Sequence, residues 1–564
     1  MFFRTIRAAA VAGLLLILPA CASAPRHAAV VNATAAHPPA AAPTAAPPVA
    51  PPLRPPQART ALAERIDAFI SQPRFAHATW GIAIVDPASG QTRYAHNADK
   101  LVVPASNVKL YTTTLALATL GGDARFTTTL YATSKPRSNG LLRGDLILYG
   151  RGDPSLGDAR VAPDSLDWAE RFAGALAEHG VTRISGDLIA DDTWYQGSGI
   201  GGGWEADDLP QWYAPRVSAL TVQDNLLAVL VSPDGAHGAK VRLEPTAAAR
   251  VVNLTHDAEP GEPLRVYQRP GSSTIIVSGQ APSGTRRFVL AAPDPALMAA
   301  QQLKQALDAA GIALAGSVRV LHWPQKDPAI KRGQLQVMAQ VMSPPLSELV
   351  RHTLKDSDNL YAQHLLLQVG VHTADQGTCS DRTWLPRTTQ AWGLCAMRAF
   401  LRHAGIGTDQ ATFVEGSGLS RKDLATPAAT TALLVWIEHQ PFADVILDAL
   451  PVAGVDGTLV HRLRDTLAED NLRAKTGTLT HVYALSGFVD DADGRPLVFS
   501  LTLNHYQRPR DEFGRIIQPS PDSDLDTIAG MLAEWHRPVP TQVAAAARGS
   551  GSSAGVGAAG AAVN

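Results

Sequence analysis

The sequence predicts an α+β multidomain protein, an antiparallel sheet flanked by helices and interrupted by a large β-rich insertion. Three observations point there. Residues 109–120 form an apolar, helix-compatible run entered through Val102-Val103-Pro104-Ala105, and residues 346–354 and 359–369 read as two further helices. Ala474-Lys475-Thr476-Gly477-Thr478-Leu479 and Ala484-Leu485-Ser486-Gly487-Phe488-Val489 read as the two strands of an antiparallel pair. The stretch between Ser106 and Ser357 is more than twice as long as that between Ser357 and Lys475, so it has room for another domain. It carries two strand starts of one kind, Gly144-Asp145-Leu146-Ile147 and Gly186-Asp187-Leu188-Ile189, separated by an amphipathic stretch at 165–179. Asp294-Pro295 then caps a helix that ends at Gly311. With 564 residues and 45% hydrophobic composition, the chain can fill several cores.

In chain order, Arg4 and Arg7 precede an apolar run at 8–18, too short to span a bilayer, and then Leu18-Pro19-Ala20-Cys21. Residues 1–21 therefore read as an export signal. Cys21 resembles a lipoprotein cleavage site, while the small residues Ala20, Ala22 and Ala24 equally suit ordinary signal peptidase. If Cys21 is lipidated, Ala22 in second place favours the outer membrane. Residues 22–58 are mostly Ala and Pro and read as an extended tether, and residues 541–564 as a disordered Ala, Gly and Ser tail. In an exported chain Cys379 and Cys395 suit a disulfide, worth roughly 3 kcal/mol on the chain-entropy model, with two buried thiols as the alternative. A net charge of −2 and 18% charged residues give no basic field for nucleic acid. The 17 histidines show no metal-binding spacing, so neither metal nor cofactor is expected.

Ser106-Asn107-Val108-Lys109, Ser357-Asp358-Asn359 and Lys475-Thr476-Gly477 occur once each and in that order. Alone, the first is usually two solvated neighbours and the second a turn or helix cap. Together, S-x-x-K, S-D-N and K-T-G are the pattern in which serine is an acyl-accepting nucleophile, lysine stands beside it as base, and penicillin can acylate the serine. At a helix start the Ser106 amide can donate to an oxyanion, and positions i and i+3 put its hydroxyl and the Lys109 amine on one face. Lys109 must then be neutral part of the time, which calls for burial and a second cation nearby, with Lys475 the candidate. Ser357 can relay a proton to the leaving amine, Asn359 can bind a substrate carbonyl and hold Lys109, and Asp358 should face away. Lys475 and Thr476 would anchor a terminal carboxylate, Gly477 would admit a close backbone approach, and the Thr478 amide would be a second oxyanion donor. The strand edge can bind an extended peptide by addition.

Gly416-Ser417-Gly418-Leu419-Ser420-Arg421, Gly454-Val455-Asp456-Gly457-Thr458-Leu459 and Phe126-Thr127-Thr128-Thr129-Leu130-Tyr131 resemble segments of the S13-type D-alanyl-D-alanine carboxypeptidases, the class C low-molecular-mass penicillin-binding proteins. The resemblance runs from about Arg59 to His536. It implies a serine β-lactamase/transpeptidase-like catalytic domain at 59–125 and 334–540, with a substrate-facing insertion at 126–333. It further implies that residues 204–213 lean over the cleft, Asp208 and Tyr213 meeting the amine end of a stem-peptide side chain, with the adjacent Asp207 as a rival. Arg421 matches the family's arginine, whereas Glu415 stands where the family usually has Asp. The implied activity is a periplasmic D-Ala-D-Ala carboxypeptidase acting on peptidoglycan stem peptides and inhibited by β-lactams. Cross-bridge endopeptidase action would use the same site. A β-lactamase and a non-catalytic wall-binding protein are the alternatives, and membrane contact would run only through a lipid on Cys21.

Overall fold

The computed structural model describes residues 61–235, 238–245, 249–257, 262–326, 335–377, 388–511, 513–516 and 520–537. The export signal, Cys21, the tether, Cys379 and the tail lie outside the described residues. Cys395, on the Thr389–His403 helix, is disulfide-bonded.

A five-stranded antiparallel sheet carries the catalytic part, in the order Arg473–Leu479, Val482–Asp490, Pro496–Asn504, Thr79–Asp86, Gln91–His96. Both faces are covered, which is why Pro496–Asn504 is buried along almost its whole length. Leu485, Phe499 and Leu501 meet Leu62 and Ile66 of the Ala61–Ile70 helix and Leu525 and Ile528 of the Pro521–Ala533 helix. Phe488 and Val498 face the other way, into a helical layer that includes Val108–Leu120, Leu346–Lys355, Asn359–Gln376 and Pro427–Glu438. The alternation of strand side chains between the two faces produces both cores.

Val108–Leu120 runs through the middle and is buried over its first ten residues, threonines included. Those hydroxyls are all satisfied: Thr112 donates to Gly416 O of a neighbouring loop (2.7 Å), and within the helix Thr113 donates to Lys109 O (2.7 Å) and Thr114 to Leu110 O (2.6 Å).

The insertion leaves on Thr127–Ala132 and returns on its antiparallel neighbour Gln336–Met342, with Thr127 opposite Met342. The return strand belongs to the insertion's own sheet, so the insertion ends near Ser343 rather than at 333. That sheet has the order Val318–Leu321, Leu188–Asp191, Leu146–Gly150, Thr127–Ala132, Gln336–Met342. The two G-D-L-I starts are parallel neighbours, Leu146 opposite Leu188, and the Asp187 amide donates to Asp145 Oδ1 (2.8 Å). One strand further on, the Ser317 amide donates to Asp187 Oδ1 (2.9 Å), so the ladder has a third rung. A Cβ on Gly186 would lie 2.2 Å from Asp145 Oδ1, and one on Gly316 2.2 Å from Gly186 O; no side chain fits at either rung. The helices Trp168–Glu178 and Pro295–Ala309 share the insertion's core through Phe172, Leu176, Leu303 and Leu307. Asp294 caps the second of them, accepting from Leu297 N at 3.0 Å.

The insertion docks on the Asn359–Gln376 helix through buried polar contacts. Tyr361 donates to Asp158 Oδ2 (2.7 Å), His364 lies between the Tyr195 hydroxyl (3.2 Å) and Thr221 Oγ1 (3.0 Å), and Gln368 Nε2 donates to Arg151 O (2.7 Å) and Gly152 O (3.0 Å). Burial pushes the His364 pKa down to about 3, so this contact is neutral imidazole at any physiological pH.

Candidate active site

Ser106 sits in a single 3₁₀ turn, Ala105–Asn107, that leads into the α-helix beginning at Val108. The loop that carries Gly418 and the edge strand that carries Gly477 both press on this turn. A Cβ on Gly418 would lie 2.0 Å from Ala105 O, one on Gly477 would lie 2.9 Å from Pro104 O, and Ala105 itself is left-handed at φ +48°. The turn is also tied to the sheet, Asn107 Nδ2 donating to Ser486 Oγ (2.8 Å), which donates to Ser500 Oγ (2.9 Å).

Lys109 is fully buried, and its ammonium group has three acceptors: Ser106 Oγ at 2.9 Å, Asn359 Oδ1 at 2.5 Å and Ser417 O at 2.7 Å. None of them is a carboxylate. Burial therefore lowers the Lys109 pKa to about 8, against the opposing pull of Glu415, Asp358 and Asp423. Lys475 is also fully buried and donates to Ser357 Oγ (2.8 Å) and Thr476 O (2.8 Å). Burial first, and the Lys109 charge second, hold it well below the ordinary lysine value. Burial is the largest influence on each amine, and the mutual repulsion of the two disfavours both being charged at once.

Ser357 reaches Lys475 from a left-handed backbone, φ +60°, at the break between the helices Leu346–Lys355 and Asn359–Gln376. Asp358 turns to the second helix, accepting from Tyr361 N (3.0 Å), and lies 3.5 Å from His352 Nε2. Asn359 uses both ends of its amide, Oδ1 on Lys109 and Nδ2 on Tyr213 O (2.8 Å). One N–H of that group remains for a substrate carbonyl.

These groups open onto a cleft of about 530 Å³ whose walls include Ser106, Ser357, Asn359, Thr476 and Thr478. Arg473–Leu479 is the edge strand of its sheet, so one row of its backbone groups is unpaired by strand neighbours. The insertion supplies the opposite lip. Asp208 lines the cleft and accepts from the Tyr213 hydroxyl (2.8 Å), while its rival Asp207 is exposed and does not line it. Arg421 donates to Thr480 O (2.9 Å) and lies 3.6 Å from Glu205.

Several participants carry no signal in the sequence motifs. The Ser417 carbonyl on Lys109 is a backbone atom. Arg160 comes from the insertion, is held by Asp158 (2.9 and 3.0 Å) and lines the cleft. Thr458, inside the G-V-D-G-T-L segment, is 2.8 Å from the Thr476 hydroxyl. Glu415 resolves the question raised by its extra methylene, since its carboxylate accepts from Ser417 N (2.6 Å) and Gly418 N (2.5 Å) and organises the loop.

A serine and two buried lysines on a helix-flanked antiparallel sheet define a penicillin-binding serine hydrolase. The profile of the D-Ala-D-Ala carboxypeptidase 3 (S13) family matches residues 62–516, and the chain belongs to that family. It is 33% identical over 494 residues to a D-alanyl-D-alanine carboxypeptidase of Actinomadura sp. (strain R39), covering 84% of this chain and 85% of that one. To the D-alanyl-D-alanine carboxypeptidase DacB of Haemophilus influenzae it is 27% identical, covering 73% and 82%. The crystal structure of penicillin binding protein 4 (dacB) from Haemophilus influenzae superposes with a TM-score of 0.70 at 24% identity, covering 83% of this chain and 99% of that one.

Proposed function

We propose that the protein removes the terminal D-alanine from peptidoglycan stem peptides through an acyl-enzyme on Ser106. Neutral Lys109 takes the Ser106 proton as Oγ attacks the carbonyl of the D-Ala-D-Ala bond. The Ser106 and Thr478 amides hold the oxyanion. The C–N bond then breaks, the leaving amine takes a proton relayed through Ser357 from Lys475, and D-alanine departs. Water attacks the ester by the same route in reverse. Thr476 holds the terminal carboxylate, and Asp208 with Tyr213, facing Arg421, receives the end of the stem side chain. The observation that carries this reading is a buried lysine amine 2.9 Å from a serine hydroxyl with no carboxylate in contact.

The test is incubation of the purified protein with a labelled pentapeptide and a cross-linked muropeptide dimer. Release of D-alanine is the expected result, and no release from either substrate would reject the reading. Cleavage of the dimer would add endopeptidase action at the same serine. Rapid turnover of nitrocefin would make the protein a β-lactamase, and no covalent labelling by fluorescent penicillin would leave a wall-binding role.

The export reading of residues 1–21 and the tether at 22–58 support a periplasmic enzyme held at the outer membrane by a lipid on Cys21. Cys21→Ser should then move the mature protein from the membrane to the soluble fraction. If the wild-type protein is already soluble, the anchor is refuted.

A further inference from the structure

The loop between Val414 and Asp423 holds a second pair of buried acids that the acyl-transfer steps do not use. Glu415 and Asp423 are both fully buried, and Asp423 is bound to the backbone amide of Val414, the residue that precedes Glu415. Glu415 accepts amides from Ser417, Gly418 and, at 3.5 Å, Ser420; Asp423 Oδ1 accepts from Val414 N at 2.7 Å. Asp423 Oδ2 is buried and receives no hydrogen bond from any donor. An orphan carboxylate oxygen beside a second carboxylate is the position a shared proton takes, because two charges in contact in a dry site cannot both persist. The same loop presents the Ser417 carbonyl to Lys109 and presses Gly418, at φ +82°, against the turn that carries Ser106.

We propose that Glu415 and Asp423 form a one-proton carboxyl pair, with the proton on Asp423, that aims the Ser417 carbonyl at Lys109 and keeps a single negative charge near its amine. The pair is a positioning device, and the inference rests on Lys109 being the base. Four charged groups act on Lys109: Glu415 and Asp423 from this loop, Asp358 from the start of the Asn359–Gln376 helix, and Lys475 from the edge strand. Burial and the Glu415 charge keep the Asp423 carboxyl well above the usual range, in agreement with the orphan oxygen.

The experiment measures the rate of acylation by benzylpenicillin against pH. The wild type should lose rate on the acid side as Lys109 becomes protonated. Glu415→Gln removes the charge that favours ammonium, so its acid limb should move down by about one pH unit. Glu415→Asp restores the charge and should return the limb towards the wild-type position. Asparagine reproduces the donor and acceptor of a protonated carboxyl, so the acid limb of Asp423→Asn should stay at the wild-type pH whatever its rate. A limb that E415Q leaves in place, or that D423N moves, overturns the pair. Should E415Q fail to fold, D423N decides alone. A wild type that is never acylated fails the serine-enzyme reading instead, so the two failures are distinguishable.

Discussion

The two sides of the cleft are built on opposite terms. On the catalytic side Lys109 and Lys475 have no exposed surface, Ala105 and Ser357 are held left-handed, and the lysine amines meet only neutral acceptors. On the insertion side Trp212 is 61% exposed, Asp208 remains in reach of water, and its contact with Tyr213 is an ordinary one. The difference shows where free energy is held in reserve. A base that must be neutral near pH 7 needs a site that disfavours its charged form, and such a site weakens the fold. A lip that only recognises a side chain needs no such penalty.

The sharpest way to break this contrast is at the nucleophile. Ser106→Ala should abolish labelling by fluorescent penicillin and reduce D-alanine release by roughly 10⁴-fold or more, with an unchanged melting temperature. Residual labelling at another residue would remove the serine from its role. Lys109→Met should reduce acylation by about 10²- to 10⁴-fold and yet raise the melting temperature, because a buried ammonium is replaced by an isosteric apolar chain. A stability loss instead would mean that the catalytic side holds no reserve. The sign of the pH dependence follows. Between about 8 and the ordinary lysine value of 10.5, unfolded Lys109 binds more proton than folded Lys109, so stability should rise with pH across that window and the rise should shrink in Lys109→Met.

Smaller effects belong to the lip. Asp208→Asn should raise KM for a stem peptide with a free side-chain amine by about 10-fold, and acylation by benzylpenicillin, which lacks that amine, should fall far less. Equal losses for both would move Asp208 from recognition to structure. Smallest is Tyr361→Phe at the docking face, which leaves Asp158 short of a donor and should lower stability by about 1–2 kcal/mol in denaturant titration.

What the sequence could disclose follows the physical range of each signal. Ser106 and Lys109 are one helical turn apart, so spacing alone places them together, and the strand pair around Lys475 announces itself by its alternation. Ser417 acts through a carbonyl, which no side chain advertises. Glu415 and Asp423 meet only because the loop folds back on itself. Arg160 reaches the cleft from a domain that the motifs do not mention. The third rung of the ladder escaped notice because Ser317 stands where the first two rungs have Asp, although Gly316 is retained for the same backbone contact. The insertion's return was read too early because the strand that closes it, Gln336–Met342, pairs with Thr127–Ala132, some two hundred positions back.

The Asn359 amide is grasped at both ends, by the base on one side and by the Tyr213 carbonyl of the insertion on the other. A small tilt of that planar group displaces the partner at its far end, so strain arriving at the rim is felt at the amine without any hinge. Compounds that wedge beneath the rim could thus slow acyl transfer while leaving the serine untouched.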